Sequence, residues 1–158
     1  MDSFPTRKNN RLPTYNYAMP GYYFITVCTD RRKCILGNVL SGGEMSPATT
    51  ILSAYGRIVE EAILEIPKHY PGTKIEKYVV MPNHFHLLLA LHETTPIGPT
   101  VSRIVQQLKR AISMRVGQPI LQSHYHDHVI RGEADYREIW EYIQNNPQKW
   151  ALDRYYQE

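Results

Sequence analysis

The stretch TKIEKYVVMPNHFHLLLALH (Thr73–His92) decides how the chain folds. Its first half alternates and then turns apolar (Ile75, Tyr78, Val79, Val80), which predicts a strand over 73–81. Pro82-Asn83 is turn chemistry. His84 to His92 reads as a second strand, and two strands joined so tightly form an antiparallel hairpin. Side chains two apart on a strand share a face. His84 and His86 therefore project together, while Phe85 and Leu87 turn to the opposite face and into a core.

Upstream, GYYFITVCT (Gly21–Thr29) is aromatic and β-branched and predicts a strand over 21–29. A basic, glycine-containing loop follows from Asp30 to Gly43. Ser46-Pro47 has the form of a helix start, serine as N-cap and proline in the first turn. The apolar positions Ile51, Leu52, Tyr55, Ile58, Val59, Ala62, Ile63 and Ile66 then make one buried stripe, ended by Pro67. Downstream, Thr94 to Pro99 reads as a loop. A second amphipathic helix covers about 100–116, with Val101, Ile104, Val105, Leu108, Ala111 and Ile112 on one face, and Gly117 and Pro119 break it. A short strand is expected near 125–131. A third helix starts at Glu133, with Tyr136, Ile139, Trp140 and Ile143 inward, and Pro147 ends or kinks it. The order β, α, β, β, α, β, α is an α+β, ferredoxin-like βαββαβ arrangement: an antiparallel sheet with helices on one face and an added C-terminal helix. That fold hosts many activities and decides none.

The whole chain has 158 residues, one domain's worth. Residues 1–20 are polar and broken by Pro5, Pro13 and Pro20 and read as an extended arm, leaving 21–158 as a single domain. At 42% hydrophobic and 21% charged, the composition is that of a globular protein and excludes wholesale disorder. The longest apolar run is Leu87 to Leu91, so no membrane span is expected. The opening residues lack the pattern of a secretory signal, and the two cysteines, Cys28 and Cys34, make neither a disulfide framework nor a CxxC clip. A reducing cytoplasm is the expected setting. The net charge of +3 permits a polyanionic partner without demanding one.

Two parallel imidazoles on rigid backbone make half a site for a divalent ion. His84 and His86 fit that reading, although a histidine pair on a strand is also a common way to build an ordinary sheet face. The second segment with chemistry is EYIQNNP (Glu141–Pro147). Tyr142 and Asn146 are four apart, so they share one helix face, off the buried stripe, and Glu138 extends the line by one turn. A hydroxyl and a carboxamide side by side offer a nucleophile and a metal ligand. Equally, Tyr142 can pack against the sheet and Asn146 can cap the helix before Pro147.

Together the Met81-Pro82-Asn83-His84-Phe85-His86-Leu87 strand and the Tyr142–Pro147 helix resemble the single-tyrosine HUH transposases, named for a His, hydrophobic, His triplet such as His84-Phe85-His86. Arg11-Leu12-Pro13, the Tyr23–Cys28 strand, the Arg31-Arg32-Lys33 loop and Tyr125–Arg131 point to the REP-associated branch of that family. The resemblance runs from about Arg11 to Trp150. It implies that His84, His86 and Asn146 bind Mg²⁺ or Mn²⁺ and that Tyr142 is the nucleophile. The implied substrate is single-stranded DNA folded as an imperfect hairpin. The implied product is a 5′-phosphotyrosine with a free 3′-OH. Mixed nitrogen and oxygen ligation suits Mn²⁺ better than Mg²⁺. Where the family commonly has a Trp-Gln-Arg-like triplet this chain has Leu121-Gln122-Ser123, so no DNA contact is carried over through that segment.

Arg31, Arg32 and Lys33 are candidates to grip phosphates beside the site, and Arg103, Lys109 and Arg110 to hold a hairpin stem. Charges off the apolar stripe of a helix are expected in any case. Tyr15, Tyr17, Tyr22 and Tyr23 could stack unpaired bases or simply pack. His124, His126 and His128 alternate as strand residues would, and a second metal site there is conceivable. Two rival functions remain at this stage: a hairpin-binding protein that no longer cuts, and a metal-dependent phosphodiesterase that uses water. Monomer and homodimer both fit.

Overall fold

The computed structural model describes residues 21–40, 48–92, 100–153 and 155–156. The expected arm over 1–20 lies outside the described residues, with Tyr15 and Tyr17, and so does Ser46-Pro47. The elements are β1 (Gly21–Cys28), β2 (Gly37–Leu40), β3 (Thr49–Leu52), α1 (Ala54–Leu64), α2 (Ile66–His69), β4 (Thr73–Met81), β5 (His84–Leu91), α3 (Val101–Val116), β6 (His126–Val129) and α4 (Glu133–Gln144). The main sheet is antiparallel, in the order β4-β5-β1-β6. Without the small β2-β3 hairpin this is the ferredoxin-like arrangement.

β5 is buried along its whole length because it is a central strand covered on both faces. On one face Tyr23, Ile25 and Val27 of β1 and Phe85, Leu87 and Leu89 of β5 meet α1 and α3 through Val59, Ile63, Ile104, Val105 and Ile112. On the other, Phe24 and Leu88 meet Ile139 and Ile143 of α4. The third helix thus sits alone on the sheet face opposite the other two. His84 and His86 alternate with Phe85 and Leu87, so they lie on the α4 side, as the period of two requires. The β4-β5 register pairs Met81 with His84, which makes Pro82-Asn83 a two-residue turn.

Three expectations about the elements need correction. Ile51 and Leu52 are not helical. They belong to β3, paired with β2, because Thr49-Thr50-Ile51 is a β-branched run and the helix cap is Ser53. Its Oγ accepts from Gly56 N at 3.1 Å and donates to Ile35 O at 2.7 Å. At Gly56 a Cβ would stand 2.0 Å from Leu36 O, so only glycine admits this approach of helix to chain. Pro67 does not end the long helix; it lies in the first turn of α2, where its missing N–H costs nothing. Trp140 is not inward. Ile139 and Ile143 hold the centre of the stripe, and the indole lies at its edge, 36% exposed, with Lys77 Nζ 4.1 Å from the ring centroid. The end of α3 is as expected: Gly117, at φ +92°, closes it in the left-handed conformation.

Candidate metal and nucleophile site

The site forms where β5 leaves the Pro82-Asn83 turn. Asn83 is fully buried and organises it. Its Nδ2 donates to Tyr155 O at 2.6 Å and to Arg32 O at 3.2 Å. Those bonds fix which end of the carboxamide is oxygen, so His84 Nδ1–H donates to Asn83 Oδ1 at 2.8 Å. The proton is on Nδ1, and His84 Nε2 carries a lone pair. His86 is oriented in the same way from the neighbouring strand, with Nδ1 2.7 Å from Thr26 Oγ1. Partners of this kind hold metal-binding imidazoles in one tautomer and one orientation.

Both imidazoles are buried, with ring centroids 4.7 Å apart. Burial pushes His84 down to about 3, with the Asn146 carboxamide opposing the shift and the Arg32 charge adding to it. At neutral pH His84 is therefore the neutral ligand form. Asn146 is 2% exposed, in the turn that follows α4. Far from lying off the buried stripe, as its spacing suggested, it is buried against the sheet because the chain turns inward after Gln144. Among the described residues, His84 Nε2 and Asn146 Oδ1 are buried without a hydrogen-bond partner. A buried polar atom left so is costly, and an imidazole nitrogen and an amide oxygen are both atoms that can ligate a divalent ion. The residues present fit such an ion.

Tyr142 completes the group. Its ring stands edge-on to His86 at 5.3 Å and to Phe24 at 6.0 Å. The packing of α4 on its own sheet brings tyrosine and histidines together within one chain.

The other sequence candidates divide. The basic triplet follows β1 directly, and Arg31 and Arg32 occupy the left-handed region at φ +55° and +53°, which few non-glycine residues enter. Thr29 pins the turn: its N–H and hydroxyl donate to Asn83 O at 2.9 and 3.1 Å, and the hydroxyl also reaches Lys33 O at 2.8 Å. The result puts the Arg32 guanidinium 5.1 Å from the Tyr155 ring centroid, at the rim of the site. Arg31 and Lys33 are exposed beside it. Arg103, Lys109 and Arg110 are not brought here, because α3 covers the opposite face of the sheet. Glu138 is exposed on α4. His128 pairs with Asp135 at 2.8 Å, and His124 precedes β6. Among the described residues no cluster of three or more His, Cys, Asp or Glu side chains could hold a metal ion, at the histidines of β6 or elsewhere. No helix among them is long and apolar enough to cross a membrane.

Sequence reasoning missed Thr26, Asp153 and Tyr155, and it missed the part Asn83 plays. For Asn83 a signal existed, since a carboxamide next to a histidine can accept from one ring nitrogen and so fix its tautomer; Thr26 is 60 residues from His86 and becomes legible only once β1 pairs with β5. For Asp153 and Tyr155 there was none.

Fold and site together define a ferredoxin-like α+β protein with a buried pair of histidines on a central strand, beside a tyrosine and an asparagine of the last helix and the turn after it. Within that class the chain belongs to the IS200-like transposase family, whose model matches residues 20–146, and so to a group of DNA-cleaving enzymes. A protein of Haemophilus influenzae is 30% identical over 173 residues, which cover 95% of this chain and 93% of the relative. The structure of a REP-associated tyrosine transposase bound to a REP hairpin matches with a TM-score of 0.64 at 25% identity, over 88% of this chain and 74% of that one. A transposase-like protein from Deinococcus radiodurans matches with a TM-score of 0.51, over 87% of this chain and 97% of the other; at 20% identity this is a likeness of fold alone.

Proposed function

We propose that this transposase is a metal-dependent single-stranded DNA endonuclease and strand transferase that acts on hairpin DNA through a 5′-phosphotyrosine at Tyr142. The observation that carries the proposal is the shared buried cluster. His84, His86 and Asn146 are buried together, His84 Nε2 and Asn146 Oδ1 lack partners among the described residues, and Tyr142 lies in ring contact with His86. The hairpin bound by the REP-associated relative supports the choice of substrate.

His84, His86 and Asn146 would hold Mn²⁺ or Mg²⁺. When bound, the ion supplies positive charge to polarise the scissile phosphate. The rest falls to the chain. Thr26 and Asn83 keep the ring nitrogens aimed, and α4 sets Tyr142 beside them. A phenol is a poor nucleophile at neutral pH, so position and phosphate activation must supply the rate. The Tyr142 oxygen forms a bond to phosphorus as the phosphorus–O3′ bond breaks. The phenolic proton is given up, and the 3′-oxygen leaves as a hydroxyl after taking one. One phosphodiester replaces another, so a 3′-OH can reverse the step and join strands without ATP. All four residues come from one chain, which supports attack within a single copy. Arg32, at the rim, is placed to meet a phosphate.

Labelled hairpin DNA, incubated with the protein and Mn²⁺ and run on a denaturing gel, tests this. A metal-dependent protein–DNA band, lost in Tyr142→Phe with DNA retardation retained, is expected. Cleavage with no covalent band would point instead to water as the nucleophile, and retardation without cleavage to a hairpin-binding protein.

A further inference from the structure

α4 carries Tyr142, yet Ile139 and Ile143 are its only buried residues. They stand four apart and so make a single line along the helix, against Phe24 of β1 and Leu88 of β5 in the middle of the sheet. A helix held along one line can roll about it, and the contacts on its flanks decide the roll. Tyr136 and Trp140 lie on one flank of the line; Asp135 and Tyr142, seven apart, lie on the other. The second flank meets the edge strand β6, where Asp135 Oδ2 stands 2.8 Å from His128 Nε2 and accepts from Arg131 N at 3.1 Å. The first meets the opposite edge strand, β4. There Tyr136 OH donates to Glu76 Oε1 at 2.7 Å, and Lys77 Nζ lies 4.1 Å from the Trp140 ring centroid.

Consecutive residues of a regular strand face opposite sides. Glu76 and Lys77 both reach α4 because β4 bulges there: Ile75 pairs with Leu89 and Lys77 with Leu88, which leaves Glu76 as the extra residue. Ile75 keeps its place against the apolar core and Val79 its place against α4. The Glu76 side chain is 14% exposed, and its other oxygen meets Lys74 Nζ at 3.4 Å. Burial and the neighbouring carboxylate push the Tyr136 phenol up to about 12, so it remains a donor at neutral pH. Resting on the function proposed above, we infer that the β4 bulge is a positioning device for the nucleophile: Glu76, acting through Tyr136, sets the roll of α4 and with it the place of Tyr142 beside His86. A roll of about 15° moves a side chain about 5–6 Å from the helix axis by about 1.5 Å, and a misplacement of about 1 Å can cost roughly a hundredfold in rate.

The test is single-turnover cleavage of labelled hairpin DNA by the full chain with Mn²⁺, at saturating protein, with gel retardation of the same DNA and melting of each protein alongside. Tyr136→Phe, which removes only the hydroxyl, and Glu76→Ala should each slow formation of the protein–DNA adduct about ten- to a hundredfold and leave DNA affinity unchanged. Glu76→Gln keeps an acceptor oxygen and should recover most of the rate. Tyr136→Phe and Glu76→Ala combined should be no slower than either alone, because they break one bond. Glu133→Gln, which removes one charge of an exposed ion pair with Arg137 on the same helix, should change nothing. A lower melting temperature with the adduct formed at the unsubstituted rate would show a merely structural bond and overturn the inference, as would rate losses that multiply in the combined variant. If Glu76→Ala does not fold, Tyr136→Phe against Glu76→Gln carries the comparison, and a rate for Tyr136→Phe equal to that of the unsubstituted chain overturns the inference while Tyr142 keeps its role. No covalent adduct from the unsubstituted chain overturns both.

Discussion

The two faces of β5 are made by the same eight residues and have opposite characters. Toward α1 and α3, Phe85, Leu87 and Leu89 join a continuous apolar core. Toward α4, the strand offers His84 and His86 before Leu88, and the apolar contact shrinks to Phe24, Leu88, Ile139 and Ile143. One face is packed by volume. The other is organised by hydrogen bonds that orient ring nitrogens, and it leaves polar atoms such as His84 Nε2 unspent. Apolar packing is therefore concentrated on one side of the sheet and the candidate site on the other, with a single buried strand serving both.

The largest break of this comparison is Phe85→Ala. It opens a cavity in the apolar face, where Phe85 is fully buried, and should cost about 3–5 kcal/mol in urea unfolding. A cost under about 1 kcal/mol would mean that this face does not carry the fold. Thr26→Val keeps the shape but removes the partner of His86 Nδ1. It should weaken Mn²⁺ binding by about 10–100-fold and destabilise the metal-free protein by only about 1–3 kcal/mol. Equal metal affinity would show that His86 needs no orienting group.

The third prediction concerns pH. His84 is held near 3 in the fold against about 6.5 when unfolded. Below pH 6.5 the unfolded chain takes up a proton that the fold refuses, so stability falls as the pH drops toward 3. Above 6.5 the residue contributes no slope. The loss should be on the order of 1 kcal/mol per pH unit. Unfolding at pH 7.5 and 5.5 should show a drop that His84→Asn lessens, and the same drop in both proteins would put its source elsewhere.

Much of the fold was legible because the period of two is unambiguous in Thr73–Leu91 and because Val101–Val116 carries a complete helical stripe and a glycine stop. The β2-β3 hairpin was not, since the apolar residues Ile51 and Leu52 continue the stripe of α1 in phase while their β-branched neighbours favour a strand. The same face-by-face logic read His84, His86 and Tyr142 as candidates, and the structure brings them together. Asn146 was read for its type but misplaced, because helical spacing says nothing about a chain that turns inward once the helix ends. Asp153 and Tyr155 had no local signature: they reach the site through a reversal of the tail, and only the three-dimensional path puts a carboxylate beside His84.

The central claim is that the histidine face delivers DNA phosphate to Tyr142 and to no other tyrosine. The Tyr155 ring also lies against His84, at 4.4 Å between centroids, so the direct measurement is mass spectrometry of the trapped protein–DNA adduct after nuclease and tryptic digestion. The account predicts a nucleotide mass on the 138–149 peptide, at Tyr142. The same mass on the peptide that begins at Tyr155, or cleaved DNA with no modified peptide, would contradict it.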